Sequence, residues 1–147
     1  MTTTLVVVPY VGAAEMLSRI LNQEVSLHLF RNAYLPGKMT TLAQLTEVSG
    51  HGYAPKTLTL LDWSITLGED VTPTTAVAPV QRWIFDQPGA PARAYGYYMQ
   101  SDNGNLLWVE RFYPPSQEPD YFPIVNPGDL LEFVPVFVHG TLALTEQ

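Results

Sequence analysis

The sequence predicts a mainly β protein, an antiparallel β-sandwich of jelly-roll or immunoglobulin-like topology, with one short N-terminal amphipathic helix and an extended N-terminal arm. Three observations predict it. From residue 25 onward, β-branched and aromatic runs recur at short intervals punctuated by Gly, Pro, Asn and Asp, the pattern of short strands joined by turns. Only residues 11–22 space their apolar side chains as a helix does. Asn103-Gly104, between two such runs, supplies the positive φ angles of a tight hairpin turn.

Residues 1–10 read as the arm, because the Thr and Val run favours extended backbone and Pro9 discourages helix just before it. Val11, Met16, Leu17, Ile20 and Leu21 form the apolar stripe of the helix, and Glu15 and Arg19 pair four apart on another face. The alternation in Val25–Phe30 predicts a strand that turns Val25, Leu27 and Leu29 one way and His28 the other. A loop at 31–38 and a single helical turn at 41–45 follow. Gly50 and Gly52 mark a bend. Next come a strand through Leu58, Leu60 and Trp63, then Val71–Val77 and Val80–Phe85. The hairpin joins Ala94–Met99 to Leu106–Phe112, and residues 114–123 cross over without regular structure. After a turn at Asn126–Asp129, a last long strand covers Leu130–Val138, with a short one at Thr141–Thr145. At 147 residues, one β-rich domain over residues 11–147 is expected.

Composition excludes several functions. Seven Lys and Arg against fourteen Asp and Glu, a net charge of −7, leave too little positive charge to track phosphates, so nucleic acid is not an expected partner. No cysteine is present, which removes disulfides, thiolate nucleophiles and cysteine metal sites. Leu5–Val8 is too short to span a membrane, and no leader pattern precedes it; synthesis in the cytoplasm and residence there until assembly are expected. His28, His51 and His139 lie far apart and match no metal-binding spacing. No Gly-x-Ser-x-Gly elbow or phosphate-binding glycine loop occurs, and scattered residues assign no Ser/His/Asp triad. Glu69-Asp70 and Glu118 with Asp120 sit in polar segments and read as solvated acids. The expectation is therefore a protein without enzymatic activity, cofactor or metal.

Only 14% of residues are charged while 46% are hydrophobic, so the surface is unusually neutral, as interfaces are. Tyr95, Tyr97, Tyr98, Trp108, Phe112 and Tyr113 crowd the hairpin and its exit, with alternation placing Tyr95 and Tyr97 on one face and Tyr98 on the other. They suit core filling and an interface. Candidate partner-binding residues are Leu5, Val7 and Tyr10 in the arm, and Tyr97, Tyr98 and Trp108 in the hairpin. In an alternative reading as a carbohydrate-binding module, the last three would stack on sugar rings if exposed.

Taken together, Leu27-His28-Leu29-Phe30-Arg31-Asn32, Leu45-Thr46-Glu47-Val48 with Gly52-Tyr53-Ala54, Trp63, Tyr95-Gly96-Tyr97-Tyr98, Leu106–Phe112 and Pro127-Gly128-Asp129 resemble small structural proteins of tailed bacteriophages. The resemblance spans roughly residues 12–138. It implies a virion component and carries no active-site residues. A capsid decoration (cement) protein is the expectation: a homotrimer on the capsid exterior, made in the host cytoplasm, that binds the major capsid protein and itself across subunit joints, its arm pairing with a neighbour's sheet edge. A tail or baseplate component that contacts a host receptor is the alternative within the same class.

Overall fold

The computed structural model describes residues 7–139. In chain order its elements are helix α1 (Tyr10–Leu21) and strands β1 (Val25–Phe30), β2 (Lys56–Leu58), β3 (Ser64–Thr66), β4 (Thr74–Val77), β5 (Gln81–Phe85), β6 (Ala92–Ala94), β7 (Gly96–Gln100), β8 (Leu106–Arg111), β9 (Phe122–Ile124), β10 (Asp129–Phe133) and β11 (Val136–His139). The protein is mainly β, every strand pairing is antiparallel, and the helix lies near the N-terminus. The backbone groups into two compact units.

The first unit holds α1 against the sheet β11-β4-β3. Ala13, Leu17 and Leu21, four residues apart, form the fully buried stripe of α1. This corrects the expected one: Val11 and Met16 are exposed, because each points about 100° or more away from the line through Leu17. Glu15 and Arg19 do pair, at 3.3 Å on the solvent side. The expected strand through Leu58, Leu60 and Trp63 is interrupted by a 3-10 turn at Leu60–Asp62. The Asp62 carboxylate accepts the Thr59 backbone N–H at 2.7 Å, a local bond that competes with a continuous ladder.

The second unit holds the sheet β2-β1-β7-β8 and the two-stranded pairs β10-β5 and β6-β9. Strand β1 occupies its expected residues and is central, with β2 on one side and β7 on the other. The hairpin β7-β8 closes as predicted. Gly104 has φ 84°, and Ser101 and Asn105 bond across the turn at 2.8 Å. Residues 41–45 make the expected single turn, with Gln44 closing back on Thr41. The stretch at 114–123 is less irregular than expected, because Pro123 lies within β9, opposite Arg93 of β6, where a missing N–H is tolerated at an edge. The long strand expected at Leu130–Val138 is two strands. Pro135, which lacks an N–H, separates β10 from β11, which belong to different units.

Gly96 is where this sheet closes most tightly. It stands opposite Phe30 of β1 and Arg111 of β8. A Cβ there would lie 2.0 Å from the Glu110 carbonyl oxygen and 2.7 Å from the Phe30 ring. Phe30 itself is fully buried, packed with Leu45, Tyr95 and Tyr98. Gly96→Ala forces backbone and ring apart in a filled interior, and we expect it to cost at least about 3 kcal/mol, read as a lowered midpoint in urea with an unchanged slope.

Candidate functional site

Strand β8 is the outermost strand of its sheet. Its Leu106, Leu107, Trp108 and Val109 are half-buried. Two shallow depressions lie along it, one toward each end, of about 470 and 440 Å³, sharing Val109. The 35–40 loop borders both, with Leu35 and Pro36 on one and Gly37, Lys38 and Thr40 on the other. Leu35 and Met39 of that loop are 65% and 87% exposed. The result is an apolar sheet edge with an apolar loop beside it.

The predicted partner-binding residues scatter across this structure. Leu5 lies outside the described residues, as does the strand expected at 141–145. Val7 is exposed. Tyr10 is not part of an extended arm: it opens α1, and its hydroxyl donates to the Asp70 carbonyl. Tyr97 and Tyr98 are 3% and 5% exposed, which corrects the expectation that they face a partner. Tyr97 packs on Phe133 at 4.5 Å, with Phe112 at 6.2 Å, and its hydroxyl donates to Glu110. Tyr98 shares its cluster with Tyr95, not the opposite face, because Tyr95 sits between β6 and β7, bonded to Phe30 and Phe112, and breaks the alternation. Of the hairpin candidates only Trp108 keeps part of its ring at the surface.

A second constellation went unread in the sequence. Ser26 and His28 occupy alternate positions of β1 and so project from one face. Glu47 reaches the same face because the chain after the 41–45 turn bridges back to β1, with Val48 N–H on the Leu29 carbonyl and Arg31 N–H on the Thr46 carbonyl, both 2.8 Å. The His28 Nδ1 to Glu47 Oε2 distance is 2.7 Å, and Ser26 Oγ lies 2.7 Å from His28 Nε2. An ionised carboxylate only accepts, so Nδ1 carries the proton of the neutral ring and Nε2 accepts from the serine. The imidazole stacks on Tyr98, centroids 4.9 Å apart and 12° from parallel. The Tyr53 hydroxyl donates to the same Glu47 oxygen at 2.7 Å and accepts the Leu29 N–H at 2.9 Å. The i, i+2 spacing of Ser26 and His28 was the only signal in the sequence; Glu47, nineteen residues on, had none.

Burial, reinforced by the hydrogen bond to Glu47, raises the Tyr53 phenol well above the ordinary tyrosine range. Burial and the nearby Glu47 charge push Tyr98 up to about 12. His51 stands in the left-handed region at φ 57°, buried, its Nε2 donating to the Ala90 carbonyl, so it clamps two loops. His139 ends β11. Asp120 is not a free acid, since Arg111 Nη2 binds it at 2.7 Å. Among the described residues, no group of three or more His, Asp or Glu could hold a metal ion, and no helix is long and apolar enough to cross a membrane.

Both tyrosine shifts favour the protonated form in the folded state. Stability from these groups is therefore complete below the unfolded tyrosine value of about 10 and is lost as pH rises from there through about 12 for Tyr98. In a titration at the phenolate absorbance band, we expect Tyr53 and Tyr98 to ionise above the ordinary tyrosine range. Tyr98→Phe should remove a late phase.

Comparison with known proteins finds no matching family model, no matching curated sequence and no matching solved structure.

Proposed function

We propose that this is a structural protein that works by covering other protein surfaces, and specifically a capsid decoration protein of a tailed phage, assembled as a homotrimer through strand addition. The observation that carries the reading is the asymmetry between the two edges of the β2-β1-β7-β8 sheet. Strand β2 is only three residues long and bears Lys56, the usual protection of an edge that must stay unpaired. Strand β8 is six residues long, reads Leu-Leu-Trp-Val-Glu-Arg, and has two apolar hollows along its length, both bordered by the 35–40 loop. Such an edge invites another strand.

The occupant we assign is the segment Thr2–Val8 of a second copy. Its Thr-Thr-Thr-Leu-Val-Val-Val sequence has the β preference and length to pair with β8. Donation from each copy to the next is a heterologous contact, which closes into a ring of three when successive copies are related by a third of a turn. Three copies match a threefold position on an icosahedral shell. The low charge of the chain supports the same reading, because charge is depleted at interface cores. The sugar-binding alternative has lost Tyr97 and Tyr98 to the interior.

Light scattering on the full chain is expected to give a trimer, and deletion of residues 1–8 or Val109→Pro a monomer with α1 and the sheets retained by circular dichroism. The trimer should then saturate empty shells of the encoding phage at a fixed ratio in co-sedimentation. A full-length monomer at tens of micromolar, or a trimer indifferent to both changes, overturns strand addition. An intact trimer that leaves shells bare overturns the decoration role.

A further inference from the structure

The Ser26–His28–Glu47 chain has the connectivity of a nucleophile, its general base and the group that orients the base. We propose that Ser26 is an acylatable nucleophile, so that the face of β1 acts on small activated carboxylic esters. This goes beyond the assembly reading and does not depend on it.

Each link has the geometry the chemistry needs. Ser26 Oγ lies 2.7 Å from His28 Nε2, inside the reach of proton transfer. His28 Nδ1 is fixed at 2.7 Å from Glu47, which sets the tautomer that leaves Nε2 free to accept. The stack on Tyr98 fixes the plane of the ring, and the His28 side chain is only 12% exposed, so the base is largely shielded while the serine beside it is half-buried and reachable. Glu47 is in turn held by Tyr53, whose hydroxyl is anchored by the Leu29 N–H. It is a positioning residue, since it acts through the imidazole.

Donors for the developing negative charge stand on either side of the nucleophile. In the strand register Ser26 faces Thr57 of β2 and Gln100 of β7, and directly opposed side chains share a face with Cβ atoms about 5 Å apart. The Gln100 amide uses one hydrogen on the Gly104 carbonyl at 3.1 Å, leaving its second hydrogen to point elsewhere. The Thr57 position is exposed. The row Thr57–Ser26–Gln100 therefore presents a hydroxyl and an amide beside the attacking oxygen.

The step balances without a cofactor. Ser26 Oγ bonds to the ester carbonyl carbon as its proton passes to His28 Nε2. The carbon–oxygen bond to the leaving alcohol breaks, and His28 returns the proton to that alcohol. Water then repeats the sequence on the acyl-serine, releasing the acid and restoring Ser26.

A fluorophosphonate reads the first half directly: the serine oxygen bonds to phosphorus, fluoride leaves, and His28 takes the proton. Full-length protein treated with a fluorophosphonate and analysed by peptide mass mapping is expected to carry the adduct on Ser26. His28→Gln should slow labelling by about a hundredfold, within the range of a lost general base. Glu47→Gln should slow it at least about tenfold, with unchanged circular dichroism. Absence of an adduct on Ser26 in folded wild-type protein overturns the proposal. So does a labelling rate that His28→Gln leaves unchanged, which would make the hydrogen-bonded chain a tie between β1 and the 45–53 segment and nothing more.

Discussion

The close approach of Phe30, Gly96 and the Glu110 backbone is the constraint on which the larger unit depends. With no side chain at Gly96, β7 fits between β1 and β8 while the Phe30 ring lies across it. That placement puts Phe30 against Leu45, Tyr95 and Tyr98 and draws the 31–48 segment back over β1, where Arg31 and Thr46, then Leu29 and Val48, share backbone hydrogen bonds. Glu47 arrives beside His28 as a consequence of that return. A side chain at one position would thus disturb both the core and the polar chain on β1.

Several acidic side chains hold turns and neighbouring side chains in place, which gives part of the negative charge a structural meaning. Asp129 accepts the Val125 and Asn126 N–H groups at the turn into β10, which holds its carboxyl below the usual range. Asp62 caps its 3-10 turn, Asp120 meets Arg111, Glu132 meets Arg82, and Glu110 receives Tyr97 and Trp108. A chain with so few charged residues uses these carboxylates as acceptors that fix turns and aromatic side chains.

Local signals made much of the fold legible. Val25–Phe30, the Asn-Gly hairpin, the 41–45 turn and the helix stand close to where spacing and turn chemistry put them. The rest was decided by tertiary partners. Which stripe of α1 is buried depends on the sheet it meets, so Ala13, small and unremarked, replaced Val11 and Met16. Pro135 divides one apolar run between two units, which the run's β-favouring composition does not show. The tyrosine alternation failed at Tyr95 because its backbone bonds to two different segments. Ser26 and His28 were legible as a same-face pair, whereas Glu47 could be added only by a long-range bridge.

The sheet places the two proposed activities far enough apart to coexist. Ser26 lies on β1, and β7 and β8 stand between it and any strand added at the outer edge. Neighbouring strands are about 4.8 Å apart, so an added strand would run about 14 Å from β1. The Phe30 end of that sheet face is covered by Leu45, Tyr34 and Leu42, while the Ser26 end, flanked by Thr57 and Gln100, keeps partial exposure. Filling the β8 edge would therefore leave the serine reachable, and the serine could be modified in an assembled ring as in a free chain. Equal labelling of Ser26 in the trimer and in the chain lacking residues 1–8 is the physical consequence of that spacing, because nothing in the path from β8 to β1 requires the two faces to move together.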